Sequence, residues 1–321
     1  MREKLRNRAV PLALAICLAV ICLAPRGFAQ DEGMAQEPEA APVPEVPQEK
    51  SAPANLPSMA ADPVPELLEA GFHAMYALNF KEAREKFLAY QQARPDDPLG
   101  KVAEAASYLF EEFNEKGVLT SEFFLDDDKF LGGVEGSVSA NRNTNFLTAN
   151  HQAREVAKRS VKKNPHDAHG LLVLTMTDGM ESNYAAMIEK KQLQALSFMR
   201  QAESEANTLL AVDPDQKDAY VALGMSNYVI GCLPGYKKMF LWFGGVHGDR
   251  TRGMQQMQLA ADNGHYLKPF AKILLALAFE REHQTERAQP LLRDLAVQYP
   301  ANPIFVHELS LLATKQNVHN R

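Results

Sequence analysis

From residue 63 onward the apolar positions recur three and four apart. Leu67, Leu68, Gly71, Phe72, Met75 and Tyr76 fall on one face, the spacing of an amphipathic helix. Asn79-Phe80 marks a short turn, and a second helix carrying Ala83, Phe87, Leu88 and Tyr90 stops before Pro95. No stretch sustains strand-type alternation, so the pattern predicts an all-α fold. Residues 30–62 lack this pattern. Pro38, Pro42, Pro44, Pro47, Pro53 and Pro57 interrupt Ala, Glu and Gln. Such a segment buries too little apolar surface to offset its ordering entropy, and proline makes it semi-extended.

One frame returns along the helical part. Gly71, Ala83, Phe87, Tyr90 and Pro95 are separated by 12, 4, 3 and 5 residues. A small residue, followed at +4 and +7 and by proline at +12, recurs at Ala153-Ala157-Ser160-Pro165, at Ala202-Ala206-Leu209-Pro214 and at Ala288-Leu292-Leu295-Pro300. Tyr220, Leu223 and Gly224 repeat the signature of the first helix. Small residues let two helix axes approach closely. Proline ends the second helix because it lacks the N–H and excludes helical conformation before it.

On these residues the chain resembles the tetratricopeptide repeat (TPR) superfamily, over residues 64–316. The resemblance implies a right-handed helical solenoid, here of about five helix pairs plus a capping helix at about 303–316, with a frayed tail at 317–321. Against the family's ~34-residue unit, Ala153, Ala202 and Gly253 arrive 36, 15 and 17 residues late. Insertions are therefore expected between the two helices of three consecutive units. The first, 114–142, reads as mostly loop. The second, around 181–197, is helix-prone and lengthens the second helix of its unit. The third is GCLPGYKKMFLWFGGVHGD, residues 231–249. This long form looks like a set of exported bacterial repeat proteins. The run Ser226-Asn227-Tyr228, Leu233-Pro234, Gly248-Asp249-Arg250 and Gly253 is weakly similar to the eukaryotic inclusion-body-clearance branch.

The family resemblance puts the first helix of each pair on the concave face. Leu68, Phe72 and Met75, then Val221, Met225 and Tyr228, then Ile273 and Leu277 would line a groove, unless the insertions bury it. Tyr220 belongs to the same surface. In the third insertion, Tyr236, Met239, Phe240 and Phe243 share a helical face that would fold back near Tyr228. That segment is either a plug for the groove or a partner-binding site, with Trp242, Lys237 and Lys238 at its mouth. Aromatic residues and cations are the usual anchors at interfaces, and they would suit a partner that is acidic with apolar anchors.

The N-terminus changes the charge accounting. Arg2, Lys4, Arg6 and Arg8 precede sixteen uncharged residues, 9–24, and then Gly27-Phe28-Ala29. This is the pattern of a secretory signal cut after Ala29; the apolar run is short of the ~20 residues of a spanning helix. An uncleaved anchor is the alternative and the only membrane attachment expected. Ile16 and Ile21 precede Cys17 and Cys22, where a lipoprotein signal needs a small residue. The full chain carries −6, and residues 1–29 carry +4, so the exported part is near −10. That charge gives no general attraction for nucleic acid. Once the signal leaves, Cys232 is the sole cysteine, so an exported domain at 63–316 in the periplasm or envelope must be held by its core.

Catalytic constellations do not emerge. His166-Asp167-Ala168-His169 follows Asn164-Pro165 at an inter-repeat turn. Asp126-Asp127-Asp128 lacks the alternating ligands of a calcium loop. The glycines at 132–136 have no phosphate-loop context. Asp249, beside His247, reads as a helix N-cap. No metal, cofactor or enzymatic activity is expected. The reading is an interaction module; the alternative is an enzyme, or an accessory subunit of one, with a pocket built from the insertions.

Overall fold

Thirteen helices run through residues 64–235 and 247–319, which the computed structural model of the chain describes. They are α1 (Val64–Tyr76), α2 (Phe80–Ala93), α3 (Leu99–Glu115), α4 (Ser121–Leu125), α5 (Asp127–Gly132), α6 (Ala140–Lys163), α7 (Ala168–Met187), α8 (Gln192–Val212), α9 (Ala219–Cys232), α10 (Arg250–Asn263), α11 (Lys268–Arg281), α12 (Thr285–Gln298) and α13 (Pro303–His319). No strand occurs among the described residues. The expected signal and linker, and Tyr236, Lys237, Lys238, Met239, Phe240, Trp242 and Phe243, lie outside them.

The helices pack in successive pairs. α1 with α2, α3 with α6, α7 with α8, α9 with α10 and α11 with α12 form five hairpins, and each second helix packs on the first helix of the next pair. α13 covers α12 as a cap and runs past its expected end at residue 316. The fold is an all-α helical solenoid of five pairs plus a cap.

The repeating frame is the crossing point of each hairpin. Ala83, Phe87, Ala153, Ala157, Ala206, Leu209, Ala288 and Leu295 are fully buried. At Gly253 the two backbones themselves come close: a Cβ there would stand 2.6 Å from the Tyr228 nitrogen and 2.8 Å from the Gly224 oxygen. The second helices end alike. Arg94, Asn164, Asp213, Gly264 and Tyr299 each donate their N–H to the carbonyl four residues back, at 2.8, 2.9, 2.7, 2.8 and 2.8 Å. Proline follows four of these five positions.

First and second helices differ in burial. α12 buries only Ala288, Leu292 and Leu295, one stripe. α7 is buried without interruption from Gly170 to Asp178, and α11 from Ile273 to Glu280. Continuous burial covers every side of a helix, not one stripe. The core therefore lies among the first helices.

The insertions depart from expectation. The first holds α4 and α5 rather than loop, and α4 packs on α11. The second lengthens both helices of its unit: α7 runs to Met187 before α8 starts at Gln192.

Candidate functional site

The surface expected to line a groove is covered. Leu68, Phe72, Met75, Val221, Tyr228, Ile273 and Leu277 are all buried, while Tyr220 and Met225 are half-buried. Tyr228, expected among the partner-binding residues, is 0% exposed and offers a partner no surface. Among the described residues, two parts of the same chain cover this face.

The first is contact between the ends of the helical array. Phe72 stacks on Tyr266 at 5.1 Å, and the Tyr76 hydroxyl donates to the Tyr266 carbonyl at 3.0 Å. The Asn302 amide donates to the Tyr76 carbonyl at 2.9 Å, Tyr76 meets Tyr299 at 5.8 Å, and His265 pairs with Glu69 at 3.1 Å. Asp218 fixes the partner turn, accepting the N–H groups of His265, Tyr266 and Leu267 at 2.7, 2.9 and 3.2 Å. Burial pushes the Asp218 carboxyl above the usual range despite these three donors.

The second is the first insertion. Val118, Leu119, Phe123 and Phe124 are buried. Thr120 caps α4, its hydroxyl accepting the Phe123 N–H at 3.4 Å. Glu308 Oε1 on α13 accepts the Ser121 N–H at 3.2 Å, and Arg281 Nη1 on α11 donates to the Phe124 carbonyl at 2.6 Å. Phe124 stacks against Tyr228 at 6.3 Å and 10°. Beyond α5, Val134 donates its N–H to the Met187 carbonyl at 2.9 Å. The insertion thus touches α7, α9, α11 and α13 in turn.

Around Tyr228 the ends of the third insertion meet. A Cβ on Gly231 would lie 2.7 Å from the Arg250 nitrogen, and one on Gly248 2.4 Å from Ile230. Arg250 donates to the Gly231 carbonyl at 2.9 Å and to both Glu282 oxygens at 3.1 and 3.3 Å. The Tyr228 hydroxyl donates to Glu282 Oε1 at 3.3 Å. Burial pushes both the Tyr228 phenol and the Cys232 thiol up, the state in which a thiol is a poor nucleophile. Asp249 caps α10 as expected, accepting the Arg252 N–H at 2.7 Å.

The sequence reading missed a charged cluster between α6, α7 and α8. Arg154 Nη2 meets Asp178 Oδ1 at 2.6 Å, and Asp178 is fully buried. Burial, then the neighbouring Asp178 carboxylate, pushes Glu205 up to about 8. Burial likewise raises Asp178, against the pull of Arg154, and raises Glu181, against a hydrogen bond from Asn150 at 3.1 Å. The available signal was Asp178 itself, a charge placed directly after the mostly apolar run Leu171–Thr177.

His166 and His169 do not converge. His166 is exposed, whereas His169 Nε2 lies 2.7 Å from Asp97 Oδ1. That hydrogen bond raises the His169 imidazole. Burial acts to raise Asp97, but the bonds from His169, Tyr90 and Leu99 outweigh it and hold the carboxyl below its usual value. Asp126 accepts the N–H groups of Asp128 and Lys129, both at 3.0 Å, and so caps α5. Two apolar crevices, one beside Met75, Phe110 and Phe305 and one beside Tyr108 and Tyr184, have room for little more than water.

The chain matches no known family profile and no curated protein. Among solved structures it is similar to the crystal structure of TTC0263, described as a thermophilic TPR protein in Thermus thermophilus. The identity is 15% and the TM-score 0.41, over 78% of this chain and 99% of that one.

Proposed function

We propose that the chain is a non-catalytic interaction module of the cell envelope that binds a protein or peptide on the helix faces turned toward α4. One observation carries the reading: those faces already hold a short peptide segment, Ser121–Val134, partly by bonds to its backbone from Glu308, Arg281 and Met187. Backbone bonds plus pockets for a few side chains are how peptide-binding folds combine affinity with selectivity. An acidic partner with apolar anchors would also suit Lys237, Lys238 and Trp242 of the third insertion, as read from the sequence.

A photo-cross-linking residue at Tyr220 or Met225, both half-buried on α9, tests this in the living cell. A discrete protein adduct is expected from these positions and not from Leu88, exposed on α2. Absence of any adduct at both α9 positions would overturn the reading. Export is tested on the same material: N-terminal sequencing of the exported chain should start at Gln30. A mature chain that starts near Met1 and stays in the membrane would mean the signal is an anchor.

A further inference from the structure

The first insertion lies on the helix faces without belonging to any hairpin. We propose that residues 118–134 are a tethered occupant of the partner-binding face, and that their withdrawal opens it to a peptide of similar chemistry, adjacent aromatics followed by acidic residues. The proposal rests on the reading of the chain as an interaction module.

Three observations support it. The segment is held by its backbone at three points, Ser121 N–H on Glu308, the Phe124 carbonyl on Arg281 and Val134 N–H on the Met187 carbonyl. Such bonds fit any peptide in the same conformation and do not depend on its side chains. Selectivity comes from Phe123 and Phe124, both buried, with Phe124 on the Tyr228 ring. The acidic run Asp126-Asp127-Asp128 follows directly.

The ends of the segment are built to turn. Gly117, Gly133 and Gly136 have φ of 66, 77 and 79°, conformations that glycine adopts freely. Close to them, Lys116 Nζ donates to the Ser137 carbonyl at 2.6 Å, and the Ser139 N–H reaches Glu112 at 3.4 Å. The base of the insertion is therefore pinned to α3 independently of what lies between. A segment tethered at both ends presents itself at an effective concentration of order millimolar. A free partner at ordinary cellular concentration competes with it once the tether's own contacts are loosened.

The test separates tether from occupant. A variant joins Lys116 to Ser137 through a short Gly/Ser linker, and a fluorescent synthetic peptide of residues 118–136 is added in trans. Saturable binding to the shortened chain is expected, weaker by roughly tenfold or more for a peptide carrying Phe124→Ala. The intact chain should not bind it. In the intact chain, the Phe123 and Phe124 amides should exchange roughly tenfold or more faster than those of Leu275 and Leu295, since a displaceable segment opens without global unfolding. A shortened chain of native helicity that ignores the peptide overturns the proposal. So do Phe123 and Phe124 amides as protected as Leu275. If the shortened chain does not fold, the exchange comparison decides alone. Both measurements use this chain without its partner, so their failure is distinct from a missing adduct at Tyr220 and Met225.

Discussion

Leu78, Gly117 and His283 occupy equivalent places after α1, α3 and α11. Each takes a left-handed backbone, with φ of 63, 66 and 59°. In each case the next residue closes a bond five residues back: Asn79 to Ala74 at 2.8 Å, Val118 to Phe113 at 2.9 Å and Gln284 to Phe279 at 2.7 Å. Left-handed conformation costs an L-residue ~1–2 kcal/mol that glycine avoids. Substitutions at these sites are therefore expected to have opposite signs. Gly117→Ala should destabilise by ~1 kcal/mol. His283→Gly, at an exposed position, should be neutral or stabilising by up to ~1 kcal/mol, because the relieved strain is partly offset by the chain entropy that glycine adds. Urea midpoints of the two variants check both. A stabilised Gly117→Ala would mean that the turn is not held in this geometry in solution.

At the scale of elements, the small-residue frame made the hairpins legible in the sequence. Ala83, Ala153, Ala202, Gly253 and Ala288 are all buried where the helices cross. Ala288→Leu should overpack the α11–α12 crossing and lower stability by ~1–3 kcal/mol, read from the denaturation midpoint. What the frame could not convey is what covers the first helices. A clue stood in the text: Leu171–Met176 and Ile273–Phe279 are runs rather than stripes, which suits burial on all sides and not an open groove. The path of the first insertion was not legible, because the partners that hold it, Glu308 and Arg281, lie 187 and 157 residues away. The charged cluster makes a further prediction. Folding raises Glu205 from 4.5 to about 8. A group raised on folding contributes stability that is full below its unfolded value and is lost as pH rises through the folded one. Glu205→Gln removes that loss. Its melting temperature should match the parent near pH 4 and exceed it by ~2–4 °C at pH 8.5 for each kcal/mol relieved. Equal melting at both pH values would show that Glu205 ionises as if in water.

At the scale of the whole array, the contact between its ends changes how it should unfold. In a solenoid whose units touch only neighbours, stability is a sum of local terms and an end unit frays by itself. Here the first pair meets the turns on either side of the fifth, Phe72 and Tyr76 reaching Tyr266 before α11 and Asn302 after α12, across 190 to 226 residues of sequence. This closure was not legible in the residue pattern, since each of these residues also reads as an ordinary face of its own hairpin. Tyr76 is the centre of the contact. It is 2% exposed, faces Phe110 edge-on at 5.8 Å, meets Tyr299 and gives its hydroxyl to the Tyr266 carbonyl. Tyr76→Ala should cost ~3–5 kcal/mol, as truncation of a buried aromatic does, and the loss should appear at both ends. Amide exchange should accelerate at Leu292 and Leu295 in α12 by a factor close to that at Ala83 and Phe87 in α2. Neither α12 residue belongs to the first pair, so a nearest-neighbour array has no route by which the substitution reaches them. Acceleration confined to α1 and α2 would mean that the ends are not coupled, and that the face between them opens without unfolding either one.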